Sequence, residues 1–337
     1  MNNDRVRMVD IAEELGVSTA TVSNVIHGKT KKVSPETVKR VQELLEKRSY
    51  IPSMAGILLA QNDSKIVGVV VNDHEKYEGH TLEDGFISAS LNELSKELDR
   101  EGYFMMVKLT TDADEIPRFA SMWNMVGIVI IGFCLHDYQK LRDKMHIPFI
   151  IYDGFLECGT GLVNLTLDNY GGGKMMGEYL KEFGHEKVLC IADNDTCMDR
   201  DRYLGLKSVY PQCELMVVPM SLGERRDFYE KNIERILKHT AVFAVSDFYA
   251  AVLMKFLRSK GIKIPESVTV TGFDDSILSR QFEPSITTIG QNHSKRAHLA
   301  LELLLKLRAG ELTECNHLLP VSLIKRESSA ERIVQTL

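Results

Sequence analysis

Apolar residues near the start of the chain recur at helical spacing, stop at a glycine and begin again. Ile11, Ala12 and Leu15 form one face, Gly16 ends it, and Ser18 stands as N-cap before a second run of Val22, Val25 and Ile26. A third run, Val38, Val41, Leu44 and Leu45, follows Ser34 in a capping place and Pro35 at the first helical position, where a missing N–H costs nothing. The pattern predicts three short helices, the first two joined by a tight turn in the manner of a helix-turn-helix. From Ile66 onward the pattern changes. Continuous apolar runs at Ile66–Val71, Phe104–Leu109, Gly127–Gly132, Phe149–Asp153, Lys187–Ala192, Leu215–Met220, Ala241–Ser246 and Ser267–Phe273 alternate with amphipathic stretches such as Leu91–Glu101, Lys174–Phe183 and Tyr249–Lys260. Strands apolar on both faces must be covered on both, which implies parallel sheets flanked by helices. They are too many for one compact sheet. Two doubly wound α/β lobes are expected, with a ligand cleft outside the carboxyl ends of the strands.

In a helix-turn-helix the second helix enters the DNA major groove by its N-terminal end. Here that end offers small polar residues. Asn24 can pair with adenine through two bonds, and the methyls of Thr19 and Ala20 can pack on a thymine methyl. Ser18, Thr21, Ser23 and the terminal amides suit phosphate contacts. The turn after it carries Lys29, Lys31 and Lys32, cations that would release counterions from a DNA backbone. The same apolar spacing also suits an ordinary pair of packed helices, and the same lysines a solvated loop.

Charge divides along the chain. Overall it is -6, but residues 1–60 hold 9 Lys and Arg against 7 Asp and Glu, leaving the acidity to the remainder. The first part is mildly basic, a weak but compatible signal for a DNA reader. A hydrophobic content of 44% suits globular cores, and the length suits two or three domains. Six cysteines, Cys134, Cys158, Cys190, Cys197, Cys213 and Cys315, show no Cys-x-x-Cys pair and are expected as reduced thiols. MNNDRVRMVD lacks an apolar stretch, and no run reaches membrane-spanning length, so the expected location is cytoplasmic with no membrane contact.

DIAEELGVSTATVSNVIHGK followed by VSPETVKRVQELLEKRSYIPS resembles the headpiece of the LacI/GalR family of bacterial transcriptional regulators, and the likeness continues in order through IVGVVV, TLDNYGGGKMMGEYLKEFGHEKV, DRYLGLK, IPESVTVTGFDDS and PSITTIGQ. The resemblance implies an all-α helix-turn-helix headpiece over 1–52, a hinge over 53–61, and a periplasmic-binding-protein-like core over 62–337. The core's lobes would be 62–161 with 291–319 and 162–290 with 320–332. It implies Tyr50 as a further DNA contact and Leu59 as an apolar wedge in the minor groove. Gly56 stands where the family has Ala, at a helix cost of up to about 1 kcal/mol. Ile57 stands where an Arg or polar residue is frequent. Arg7 replaces a Thr at the start of the first helix, which removes an N-cap and offers a phosphate contact instead.

For the cleft the resemblance points to Arg202, in Arg-x-x-Gly with Gly205, and to Asp274, the first Asp of Gly-Phe-Asp-Asp. An arginine facing a carboxylate suits sugar hydroxyls. Asp73 and Asp153 follow apolar strands as further candidates. Ser246 stands where many relatives have Asn, and Asp247 beside it is expected to N-cap the next helix. No aromatic falls near Ser221–Gly223, where several relatives stack one on the ligand; Leu222 fills that place, with Phe133 or Trp123 as substitutes from the other lobe. Gly171-Gly172-Gly173 matches no Walker pattern and reads as a helix start. His74, His80 and Glu83 match no common metal spacing. No nucleophile–base grouping or cofactor fingerprint is present, so no enzyme and no cofactor is expected. The expectation is a sequence-specific DNA-binding homodimer, a repressor on a pseudo-palindromic double-stranded operator, controlled by a small carbohydrate-like effector. A solute-binding receptor with the same two lobes is the alternative.

Overall fold

The structure, a computed structural model, describes residues 6–51, 64–133, 141, 143–154, 162–311 and 314–332. The hinge over 53–61, with Gly56, Ile57 and Leu59, lies outside them, as do Cys134 and Cys158. The chain forms two compact units, residues 1–64 and 65–337.

In the first unit, α1 (Met8–Leu15), α2 (Thr19–Ile26) and α3 (Pro35–Lys47) surround a core of Ile11, Ala12, Val22, Val25, Val41 and Leu44. The turn forms because Gly16 takes φ 67°, a left-handed conformation open to glycine, while Val17 N–H bonds back to Ala12 O at 3.0 Å. Ser18 Oγ accepts from Thr21 N at 3.1 Å and Ser34 Oγ from Thr37 N at 3.2 Å, capping α2 and α3. One expectation changes. Arg7 does not leave α1 uncapped, because the Asp10 carboxylate accepts from Arg7 N at 2.7 Å and from its guanidinium at 3.1 Å. The arginine thereby serves its own helix.

The second unit holds two six-stranded sheets. The first comprises β1 (Ile66–Asn72), β2 (Phe104–Thr110), β3 (Gly127–Ile131), β4 (Phe149–Tyr152), β5 (Leu162–Leu167) and β11 (Asn316–Leu319), in the order β11-β5-β4-β3-β1-β2 and all parallel. The second comprises β6 (Val188–Ala192), β7 (Glu214–Val217), β8 (Ala241–Ala244), β9 (Thr269–Asp274), β10 (Thr287–Gln291) and β12 (Val321–Ile324), in the order β12-β10-β9-β8-β6-β7. It is parallel except for β12, which pairs antiparallel with β10. Only Pro320 separates β11 from β12, too short a link for a further crossover helix.

Each sheet reverses its winding between its first and third strands, so the switch points lie at the ends of β1/β3 and of β6/β8. The helices between strands are α4 (Gly85–Arg100), α5 (Glu115–Met122), α6 (Asn169–Glu182), α7 (Cys197–Val209), α8 (Leu222–Leu237), α9 (Asp247–Ser259), α10 (Ile277–Gln281) and α11 (His293–Arg308). The chain passes between sheets three times: along α6, along α11 and at Pro320. The first passage comes after Leu167, one strand later than expected at Leu162, because β5 completes the first sheet by pairing with β4.

The glycine triplet begins α6. Asp168 accepts from Gly171 N at 2.8 Å, and a Cβ on Gly173 would lie 1.9 Å from Arg202 O, so the residue lets α6 and α7 pack backbone to backbone.

Candidate functional site

On the headpiece, burying Val22 and Val25 turns the rest of α2 outward. Ser18, Thr19 and Ala20 are exposed, and Thr21, Ser23 and Asn24 are half-buried. Ser18 and Thr21 hydroxyls lie 2.9 Å apart, so both serve the cap as well as any outside contact. Lys29 and Lys31 are exposed around the short 3-10 turn Thr30–Lys32. Tyr50 packs half-buried on the headpiece core, its N–H donating to Leu45 O at 2.9 Å.

In the core, α7 carries Arg202 inward to 6% exposure. Its Nε donates to Asn169 Oδ1 at 2.8 Å, its Nη1 donates to Val245 O at 2.7 Å, and the guanidinium lies over the Phe273 ring at 3.7 Å. Asp274 ends β9 with φ 116°, a left-handed conformation that costs an L-residue roughly 1–3 kcal/mol. That turn brings Oδ1 to 3.7 Å from Arg202 Nη1 and within 3.1 Å of the donating Gln291 Nε2. Burial pushes the Asp274 carboxyl well above its ordinary range; Arg202 opposes this, while the charges of Asp247, Asp84 and Asp199 add to it.

Asp153 is buried and held by Arg296 Nη2 at 2.8 Å and Leu167 N at 3.1 Å. Arg296, 1% exposed, also donates to Leu165 O at 2.7 Å and lies over the Tyr152 ring at 4.0 Å. Its Nη1 reaches Gln291 Oε1 at 3.4 Å. Gln291 thus joins two buried ion pairs, Asp153–Arg296 beside the first sheet and Arg202–Asp274 beside the second. Sequence reasoning missed Arg296 and Gln291. A signal existed for the arginine, which shares the buried face of α11 with Ala297, Ala300, Leu303 and Leu304.

The cap falls to Ser246 and not, as expected, to Asp247. Ser246 Oγ accepts from Tyr249 N at 3.4 Å and caps α9. Asp247, wholly buried, accepts from Ser276 N at 2.7 Å and Thr288 Oγ1 at 2.6 Å, fastening the loop after Asp274 to α9. Burial pushes it to about 6. Asp73 is half-buried and accepts from the Thr81 hydroxyl. Leu222 and Trp123 are exposed, whereas Phe133 is buried. His80 Nδ1 lies 2.9 Å from Glu83, and His74 Nδ1 accepts from Lys76 N at 3.1 Å.

A second polar cluster was also missed. Asp193, following β6 at the switch point, accepts from Tyr249 OH at 2.5 Å and Asn194 Nδ2 at 2.5 Å. Asn194 Nδ2 also reaches Asp199 Oδ2 at 2.9 Å. Burial, with Asp193 beside it, raises Asp199 to about 7, while against its own burial Lys76 and hydrogen bonds hold Asp193 below the ordinary range. Lys76, from the segment after β1, stands 3.7 Å from Asp193 Oδ2.

Comparison with known proteins agrees with both units. Residues 7–53 match the model of bacterial regulatory proteins, lacI family, and residues 178–329 that of the periplasmic binding protein-like domain. The sucrose operon repressor of Streptococcus mutans serotype c is 28% identical over 331 residues, 96% of this chain and 99% of that one. The HTH-type transcriptional repressor PurR of Mannheimia succiniciproducens is 28% identical, covering 88% of this chain and 90% of its own. Among solved structures, the lac repressor dimer bound to operator and the anti-inducer ONPF superposes with a TM-score of 0.84 at 21% identity, covering 97% of this chain and 100% of that one. A transcriptional regulator CelR–cellobiose complex gives 0.69 at 22% identity, covering 96% and 100%.

Proposed function

Because this chain belongs to the lacI family of bacterial regulatory proteins and is a DNA-binding transcriptional repressor, we propose that its grip on DNA is set by a small polar effector of carbohydrate class held between the two sheets. Two copies related by a twofold axis would place two headpieces on a pseudo-palindromic operator. Thr19, Ala20 and Asn24 would read base edges. Ser18, Thr21, Ser23, Lys29, Lys31 and Tyr50 would set register on phosphates, and Leu59 would wedge the minor groove. The protein would work where its operator is, in the cytoplasm, and no catalytic role is assigned.

One observation carries the effector reading: the relay Asp153–Arg296–Gln291–Asp274–Arg202, which joins side chains beside both sheets. Hydroxyls that engage Asp274 and Arg202 act on one end of a network whose other end belongs to the opposite lobe. Ligand binding thereby favours one lobe arrangement over another, and that difference in affinity is all an allosteric effector requires. Asp73 and Ser246 would line the same cleft, with Asp153 acting through Arg296.

The test is a titration of the full-length protein on a labelled operator with a panel of sugars, alongside Arg202→Ala. The variant should bind DNA and ignore the sugar that shifts the parent. Normal effector affinity in Arg202→Ala would refute the assignment.

A further inference from the structure

The segment between β1 and α4, with the first residue of α4, belongs to the first lobe but approaches the second at three points. Lys76 faces Asp193, the Glu78 carboxylate accepts from Leu222 N at the start of α8 at 3.0 Å, and a Cβ on Gly85 would lie 3.0 Å from the Ser276 Cβ. What this segment closes over is rich in acid. Asp193, Asp199, Asp247 and Asp274 come from the second lobe and Asp84 from the segment itself, and the charges of Asp84, Asp199 and Asp247 all act on Asp274. Among the described residues, the cations that act on these carboxylates are Arg202 and Lys76. Arg202 is committed to Asn169, the Val245 carbonyl and the Phe273 ring.

Lys76 is held differently. Its ammonium arrives on a flexible tether from the opposite lobe, and its side chain remains 32% exposed while that of Asp193 is fully buried. Burial works against its charge, but Tyr77, Asp193, Asp199 and Asp84 outweigh that cost and keep it protonated. The cleft therefore already seats a primary ammonium against Asp193, with Asp199 next to it, on a side chain that can swing away.

We propose that Asp193 and Asp199 form an ammonium subsite of the cleft, and that the effector is an amine-bearing polyol whose protonated amine takes the place Lys76 holds. This rests on the effector-cleft reading above and narrows it. Ligands carrying phosphate or carboxylate bring a like charge against Asp193 and are disfavoured.

Two measurements on the full-length protein test this. In the first, Lys76→Ala is melted with and without ethylammonium chloride, against sodium chloride at equal concentration. Ethylammonium should raise the Tm of Lys76→Ala more than that of the parent, and the gain should vanish in Lys76→Ala/Asp193→Asn. Equal shifts in all three proteins overturn the subsite. In the second, Lys76→Ala is titrated calorimetrically with glucose, glucosamine and glucose 6-phosphate. The amino sugar should bind about tenfold tighter than the neutral one, as one added charge-assisted contact predicts, and the phosphate should bind worst. Preference for the phosphate overturns the proposal. Ethylammonium rescue reads the acid pair without any effector. Rescue in a protein that no sugar of any class binds would keep the subsite and remove the carbohydrate reading.

Discussion

The headpiece and the core place their polar chemistry in opposite surroundings. On the headpiece, the candidate reading residues Thr19 and Ala20 stand exposed over a core of six apolar side chains. In the core, the candidate effector residues Arg202 and Asp274 are buried and already bonded to protein groups. A surface reading residue can change with little effect on the fold. A buried relay residue serves stability and recognition at once, so its loss is felt in both. The two regions should therefore separate under mutation: function without stability in one, stability together with function in the other.

The strongest break in that contrast comes from Arg296→Met. It removes the partner of buried Asp153 and the hold on Gln291. Stranding a buried carboxylate should cost about 3–5 kcal/mol, read by urea unfolding of the core. A loss within experimental error would show that the relay holds nothing together. Acidity gives a second separation. Burial raises Asp199 to about 7 and Asp247 to about 6, from an ordinary 3.8. The folded core thus keeps protons that the unfolded chain releases, so their contribution is full below pH 4 and is lost as pH climbs through 6 and 7. The headpiece behaves in the opposite sense: hydrogen bonds from Arg7 lower Asp10, and that contribution fades as pH falls. Core melting temperature should fall between pH 5 and pH 8, and Asp199→Asn should flatten the upper part of that slope. An unchanged slope in the variant would place the titrating group elsewhere.

Local signals explain what was legible. The capping serines, Gly16 and the apolar stripes of α1 to α3 act within a few residues, so the chain displays them in order. The apolar strands of the two lobes are equally plain. β5, with Asn164 and Thr166 among its apolar positions, and the short β11 and β12 lack a continuous apolar run and are recognisable only by their sheet partners. The cleft depended on resemblance for Arg202 and Asp274. The acid pair and Lys76 escaped notice because a carboxylate after a strand or in a helix reads as a cap or a solvated charge. Only the fold brings Lys76 to Asp193 and Asp199, from a segment more than a hundred residues away. The cap of α9 falls one residue earlier than expected, on Ser246 and not Asp247, because both residue types cap helices and burial alone decides between them.

Smaller effects sharpen the comparison on the headpiece side. Asn24→Ala should lose about 1–3 kcal/mol of discrimination at one base pair of each half-site and leave core unfolding unchanged. Equal preference by parent and variant across a panel of half-site changes would deny Asn24 a base contact. The finest test uses two caps of one chemistry. Ser18 and Ser34 each accept from the amide three residues on and each lie beside a threonine hydroxyl, at 2.9 and 2.8 Å. Replacing either by Ala should cost about 1 kcal/mol of headpiece stability. Only Ser18 sits at the start of the candidate reading helix, so only Ser18→Ala should also weaken operator binding after the stability loss is allowed for. Equal weakening by both would mean that the serine at position 18 acts through the cap alone.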